Sequence, residues 1–219
     1  MESVSRETKT DAEVAPGEGM AGVAEWLKGD GGSLGSEEVR DLKVYCQLLH
    51  KASAMINLIS LADRDKIAER HVLPALNMGP LLRTVPNRVI VDFGSGAGLP
   101  GIPLKIMFKE SHFILIEARR KRANFLREVV RSIGLKKIEI WHCRIEELPR
   151  TQEALADVVV TRAASSLVGL WQTVASVVKP HGVVIATLDS GKGIGSGAGV
   201  LLRKQSRLPG RILWYGLVR

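Results

Sequence analysis

Residues 88–101 constrain what this chain can fold into more than any other stretch. Arg88-Val-Ile-Val-Asp-Phe is a short, largely β-branched run that passes directly into Gly94-Ser-Gly96-Ala-Gly98-Leu-Pro100-Gly101. Branched side chains favour a buried strand, and glycines this dense suit a backbone that bends sharply or must approach a ligand without a Cβ in the way. Apolar sequence resumes from about Leu99 to Phe108 as a helix, which makes the whole a strand–turn–helix step. The step recurs downstream. His112-Phe-Ile-Leu-Ile-Glu is a second strand, Arg119–Ile133 a helix closed by Gly134, and further strands begin near Ile138, Asp157 and Gly182. A helix from roughly Ser166 to Val178, ended by Pro180, separates the last two. Alternation at this spacing predicts an α/β fold with a mainly parallel sheet covered on both faces. In such sheets ligands bind beyond the carboxyl ends of the strands, where strand order switches.

The chain has 219 residues, and its first part has a different character. Residues 1–41 hold ten acids against four bases, a net of −6, while the remaining residues carry +14. Met1 to Gly35 is glycine-rich and acidic, and we expect a mobile leader over residues 1–35. An ordered helical appendage is expected over 36–83, beginning where Glu37 and Glu38 oppose a helix dipole. Its first helix carries Leu42, Tyr45, Cys46, Leu49 and Met55 at helical spacing to about Ile56. A second runs over roughly Asp63–Leu76, with Pro74 disturbing its last turn. The sheet domain occupies 84–219. Hydrophobic residues at 45% exclude wholesale disorder, and the basic bulk of the chain favours a polyanionic partner, nucleic acid first. The two cysteines, Cys46 and Cys143, support neither a disulfide framework nor a zinc cluster, so no metal is expected. With no apolar run near the length of a membrane span, the chain reads as soluble and cytoplasmic.

The glycine spacing narrows the ligand. A dinucleotide turn needs G-x-G-x-x-G, yet the sixth position from Gly94 is Leu99. Asp92, two residues before Gly94-x-Gly96-x-Gly98, instead matches the turn that accommodates the methionine and ribose of S-adenosylmethionine. A purely structural turn is the rival reading. Glu117 ends the second strand 23 residues beyond Gly94, where a carboxylate can accept from ribose hydroxyls or simply cap the next helix. In Cys143-Arg-Ile-Glu-Glu-Leu-Pro, Glu146 could accept from an adenine amino group with Ile145 against the ring, or open a solvated helix. Arg162, at the carboxyl end of the fourth strand, suits a carboxylate or the O6/N7 edge of guanine. A structural ion pair with Asp92 or Glu117 competes with that role. Arg119, Arg120, Lys121 and Arg122, with Arg203 and Lys204 in the tail, are candidates for phosphate contact, together with Arg70. His71 is either an RNA contact or a core histidine joining the appendage to the sheet domain. Aromatic residues, at 5%, are too few for an extended base-stacking platform.

Asp92–Ile106 (DFGSGAGLPGIPLKI), Arg144–Pro149 (RIEELP), Thr161–Ala163 (TRA), Ile56-Asn57-Leu58 and Arg70-His71 together resemble the RsmG (GidB) family. The likeness extends from about residue 40 to about 192. It implies a Rossmann-like class I methyltransferase sheet with an N-terminal helical appendage, and a protein that uses S-adenosylmethionine to methylate guanine N7 in 16S rRNA of the small ribosomal subunit. It further implies cofactor contacts at Gly94, Leu99, Ile145, Glu146 and Arg162, with Glu117 as the ribose acid; Asp92, Gly96 and Gly98 complete the set from the turn itself. The chain departs from the family pattern at Ala52-Ser53, where Trp-Asn is usual, at Leu73-Pro74-Ala75 after Arg-His, and at Leu188-Asp189-Ser190-Gly191, which replaces Leu-Lys-Gly. After Gly193-Ile-Gly-Ser-Gly-Ala-Gly, the remaining sequence looks short for the family's final hairpin.

Methyl transfer to N7 needs alignment but no general base, because N7 offers a lone pair and loses no proton. No catalytic acid–base set is therefore expected; Arg162 would position guanine, and Cys143 reads as a small hydrophobe rather than a nucleophile. The expected unit is a monomer. The alternatives are a methyltransferase with another RNA or a small-molecule acceptor, and a non-catalytic RNA-binding homologue.

Overall fold

A computed structural model describes residues 34–86, 88–144, 147, 155–162 and 177–189, and the backbone of 203–208 and 211–217. Helix α1, Ser36–Ser53, begins with Glu37 and Glu38 and ends with His50 and Lys51, so the charges at both ends oppose its dipole. Leu42, Tyr45 and Leu49 recur every third or fourth residue and form its buried face. The helix stops three residues before the expected Ile56. The amides of Met55 and Ile56 both donate to the Ala52 carbonyl, a tight turn that leaves Met55 75% exposed instead of on the packed face.

The second appendage helix is irregular. A tight 3-10 stretch, Leu61–Lys66, runs through Ile67 into a wide π turn over Ala68–Val72, followed by α2, Leu73–Leu76. Pro74 has no N–H to give the Arg70 carbonyl four residues back, and its ring crowds that carbonyl, so the backbone widens at this point. A further turn, α3 at Gly79–Leu82, leads to the sheet.

The strands are β1 (Val89–Phe93), β2 (His112–Ile116), β3 (Ile138–Trp141), β4 (Ala156–Arg162), β5 (Val178–Asp189), β6 (Arg203–Leu208) and β7 (Arg211–Leu217). They lie in the order β3-β2-β1-β4-β5-β7-β6, with β1 to β5 parallel and β7 antiparallel to β5 and β6. The first connection runs from β1 to β2 and later ones from β3 back to β4 beside β1, which puts the switch of strand order between β1 and β4. Helix α4 (Gly101–Met107) follows β1, and α5 (Arg120–Ile133) follows β2. Gly134 ends α5 as expected. It sits at φ 79°, a left-handed position, and its amide joins that of Leu135 on the Val130 carbonyl.

Two expectations change at the carboxyl-terminal end. Val178, the expected last residue of the helix, instead opens β5 beside Ala156 of β4, with Val177 in a turn before it; residues 166–176 of that expected helix lie outside the described residues. Pro180 is tolerated because the ladder is irregular here, jumping from Ala156/Val178 to Val158/Val183. The final hairpin is present as β6 and β7, despite the short sequence available for it.

Alternate residues of the strands feed two apolar layers. Ile90, Phe113, Leu115, Val158, Val160, Val183 and Ile185 face the layer that also holds Leu42, Tyr45 and Leu49 of α1, Ile102 of α4 and Leu126 of α5. Val91, Ile114, Ile116, Val159, Val184 and Ala186 face the other. The appendage thus shares a core with the sheet. Each fully buried side chain of this kind contributes about 2 kcal/mol, enough to hold 36–83 against the strand ends.

Candidate functional site

Three strand ends meet at the switch point. After β1 the chain turns through Gly94, Gly96 and Gly98, all at positive φ (69°, 57° and 91°) where L side chains are strained. The amides of Gly94 and Ser95 both donate to the Ile116 carbonyl at 3.1 Å, which locks the turn to the end of β2. A Cβ at Gly94 would meet nothing within 4 Å among the described residues, so nothing described crowds the space above the turn. A Cβ at Gly98 would instead press on Ile102 and Leu126, so this glycine serves the packing of α4 and α5 beneath the turn.

Asp92 lies under the turn, fully buried. Its Oδ2 accepts from the Gly101 amide at 2.9 Å, fixing the start of α4, while Oδ1 is buried with no hydrogen-bond partner among the described residues. Burial pushes its carboxyl up to about 7, opposed by the Gly101 amide, Ser95 and the positive charge of Arg162. Glu117, also buried, accepts from the Gly96 amide at 2.8 Å and from the Arg119 amide at 2.7 Å. Those two bonds hold the carboxylate rigidly between the glycine turn and the start of α5. A carboxylate has about four acceptor positions, so two remain for a diol.

From the appendage, Tyr45 reaches into the turn and donates from its hydroxyl to the Ala97 carbonyl at 2.9 Å. Burial holds that phenol well above its ordinary range, so it remains a donor. Thr161, near the end of β4, donates to the Phe93 carbonyl at 3.0 Å and ties β4 to β1. Beside it, Arg162 turns to the appendage: Nη1 is 3.3 Å from His71 Nδ1, and Nη2 donates to the Arg70 carbonyl at 3.4 Å. That carbonyl is the one Pro74 cannot serve.

The sequence-derived candidates therefore divide by place. Gly94, Gly96 and Glu117 are brought together by hydrogen bonds at the ends of β1 and β2, Arg162 stands at the end of β4 against the appendage, and Asp92 and Gly98 pack beneath the turn. Leu99 has its side chain in the apolar layer, so only its main chain is available to a ligand. Ile145 and Glu146 lie outside the described residues. His71 joins the appendage to β4, and the side chain of Arg70 is exposed. Arg119, Arg120 and Lys121 are exposed at the start of α5, while Arg122 donates to the Asn57 carbonyl at 2.9 Å and bridges α5 to the loop after α1. Arg203 and Lys204 lie on β6, with only their backbone described. Neither thiol is poised as a nucleophile: burial pushes Cys46 up to about 12 and, with Glu147 adding to it, also raises Cys143.

A family model for rRNA small subunit methyltransferase G, GidB, matches residues 38–193. The chain belongs to this family. Ribosomal RNA small subunit methyltransferase G of Shigella flexneri is 39% identical over 141 residues, which is 64% of this chain and 66% of that protein. Its counterpart in Escherichia coli O1:K1 is 38% identical over the same shares. The alignments thus span just under two thirds of these relatives. Among solved structures, a SAM-dependent methyltransferase from Aquifex aeolicus superposes with a TM-score of 0.51 at 16% identity, covering 64% of this chain and 89% of its own. A transferase from Pyrococcus horikoshii reaches 0.54 at 15% identity over 76% and 66%. M. jannaschii TYW2, solved with AdoMet, reaches 0.51 at 17% identity over 75% and 78%. These structural likenesses show the fold, a Rossmann-like methyltransferase sheet.

Tyr45, Thr161 and Asp63 were not among the sequence candidates. Tyr45 falls in the apolar stripe of α1, and only its polar tip hints at a second task. For Thr161 the signal was its place next to Arg162 at a strand end.

Proposed function

We propose that this protein is an S-adenosylmethionine-dependent methyltransferase that methylates N7 of a guanine in 16S rRNA of the small ribosomal subunit, acting as a monomer in the cytoplasm. Family membership supports the reaction class. The observation that carries the site is the space over Gly94, uncrowded by any described residue, beside a buried carboxylate, Glu117, already oriented by two backbone amides.

These residues fit the cofactor. The exposed Gly94 turn admits close approach, Glu117 has acceptor capacity left for ribose hydroxyls, and Ile145 and Glu146 are assigned to the adenine. Bound there, S-adenosylmethionine supplies an electrophilic methyl group. Transfer to N7 makes one N–C bond, breaks one S–C bond and moves no proton, so the protein's task is alignment. Arg162 serves that alignment best by donating to guanine O6. A guanidinium bonded to N7 itself would occupy the lone pair that must attack, so the usual bidentate O6/N7 contact is unproductive here. The exposed Arg119, Arg120 and Lys121, with Arg70, supply phosphate contacts at the crevice lip.

The test is methyl transfer from labelled cofactor to small-subunit particles and rRNA from cells lacking the activity, with the product mapped by reduction and aniline cleavage. One cleavage site, lost in Arg162→Ala while cofactor binding persists, supports the reading. Label on a different base or acceptor would refute the guanine N7 assignment. Cofactor binding without any incorporation would identify a non-catalytic RNA-binding homologue instead.

A further inference from the structure

The appendage meets Arg162 through a chain of side chains. His71 Nδ1 lies 3.3 Å from Arg162 Nη1, and on the opposite side of the ring Nε2 lies 3.5 Å from Asp63 Oδ2, close enough to feel the carboxylate's charge but outside hydrogen-bond geometry with it. Asp63 is itself pinned, since Ser60 Oγ donates to its Oδ2 at 2.7 Å and Arg70 Nη1 to its Oδ1 at 2.6 Å. His71 and Asp63 have side chains only 12% and 19% exposed, so water competes little for these contacts.

The chemistry of the pair decides the proton on His71. A guanidinium has donors only, so Nδ1 can face it only as an acceptor, and the ring proton must sit on Nε2 toward the carboxylate. An imidazolium there would set two cations side by side. We infer that Asp63 and His71 are positioning residues for Arg162: the carboxylate fixes the Nε2–H tautomer, and the bare Nδ1, with the Arg70 carbonyl, holds the guanidinium plane at the carboxyl end of β4. Pro74, four residues on, has no N–H to compete for that second acceptor. Pro74, a departure from the family pattern, thereby becomes part of the device rather than damage to it.

This inference rests on Arg162 acting as the alignment residue proposed above, and its tests separate the two. In the full-length free protein, long-range proton–nitrogen correlation of the histidine rings, with His71 assigned by its disappearance in His71→Asn, should show Nδ1 bare and Nε2 protonated at neutral pH. The Nδ1–H tautomer or an imidazolium would overturn the inference without reference to any activity. In transfer assays, His71→Ala should lower kcat about tenfold while cofactor Kd and KM for RNA change by less than about twofold. His71→Asn places an acceptor oxygen near the Nδ1 position and should recover most of the rate, whereas His71→Gln, whose acceptor reaches further out, should not. Asp63→Asn should fall between wild type and His71→Ala. A wild-type kcat in folded His71→Ala, or equal loss in folded His71→Ala and His71→Asn, would refute the relay. If the wild-type protein transfers no methyl group, the proposed function fails, and the tautomer measurement still decides the relay.

Discussion

The two walls of the crevice are held by opposite means. On one side the glycine turn is fixed by main-chain groups: amides of Gly94, Ser95, Gly96 and Gly101 all donate to fixed acceptors at strand ends, and Glu117 and Asp92 serve as anchors for that backbone. On the other side, residues 60–74 are held through side chains, with Ser60, Asp63, Arg70, His71 and Arg162 linked in series. A main-chain wall tolerates little change in shape, because each amide has one acceptor and no rotamer to adjust. A wall of side chains can re-form with modest loss of stability while changing where a guanidinium points. Main-chain bonds thus fix the glycine turn, and side-chain bonds fix residues 60–74.

Substitutions test that contrast most sharply in the turn. Gly98→Ala combines a left-handed backbone with a methyl pressed on Ile102 and Leu126, and should cost about 3 kcal/mol in urea unfolding. Asp92 should give an effect of comparable size, through pH. Its carboxyl is raised from 3.8 to about 7, so the folded state binds a proton that the unfolded state has released, and stability from this group falls as pH rises between those values. Asp92→Asn, neutral throughout and still able to accept from Gly101, should remove that fall; parallel slopes for the two proteins would contradict the burial seen here. Tyr45→Phe deletes a side-chain stitch from α1 to the turn and leaves the Ala97 carbonyl short of a donor, for a loss of about 1–2 kcal/mol in thermal or urea melts. Smallest of all, Arg70→Ala breaks an ion pair whose arginine is half exposed and should change stability by about 0.5 kcal/mol or less. A large loss there would mean that the second wall is as rigid as the first.

The main-chain wall was the readable one. Glycine density, the strand before it and the acid at the end of the next strand are local signals, and Gly134 announced the end of α5 in the same way. Periodicity also gave the five parallel strands in their correct places, since each alternates between two buried layers. What escaped notice depended on contacts between distant segments. Sequence position offers Asp92 and Glu117 as partners for Arg162, yet its contacts with His71 and Arg70 lie more than 90 residues back along the chain. Asp63 carried no signal of its own among the charged residues of the appendage. Val178 reads as a helix end because Pro180, two residues on, stops helices, but the same proline fits a break in a strand ladder. The tail hairpin was hidden by composition: Arg203-Lys-Gln-Ser-Arg-Leu shows none of the apolar alternation by which a half-buried strand is recognised.

That polar strand has a consequence for how the protein behaves in crowded solution. Because β7 pairs with both β5 and β6, the apolar Arg211-Ile-Leu-Trp-Tyr-Gly-Leu segment is enclosed within the sheet, and β6 takes the border. A sheet border presents unpaired amides and carbonyls that invite a second molecule to add a strand. The β6 sequence holds three bases, Arg203, Lys204 and Arg207, in six residues, and such charges on an edge strand disfavour edge-to-edge pairing of two copies. The residues read as candidates for phosphate would then also act as a guard against self-association, and neutralising them should show first as aggregation.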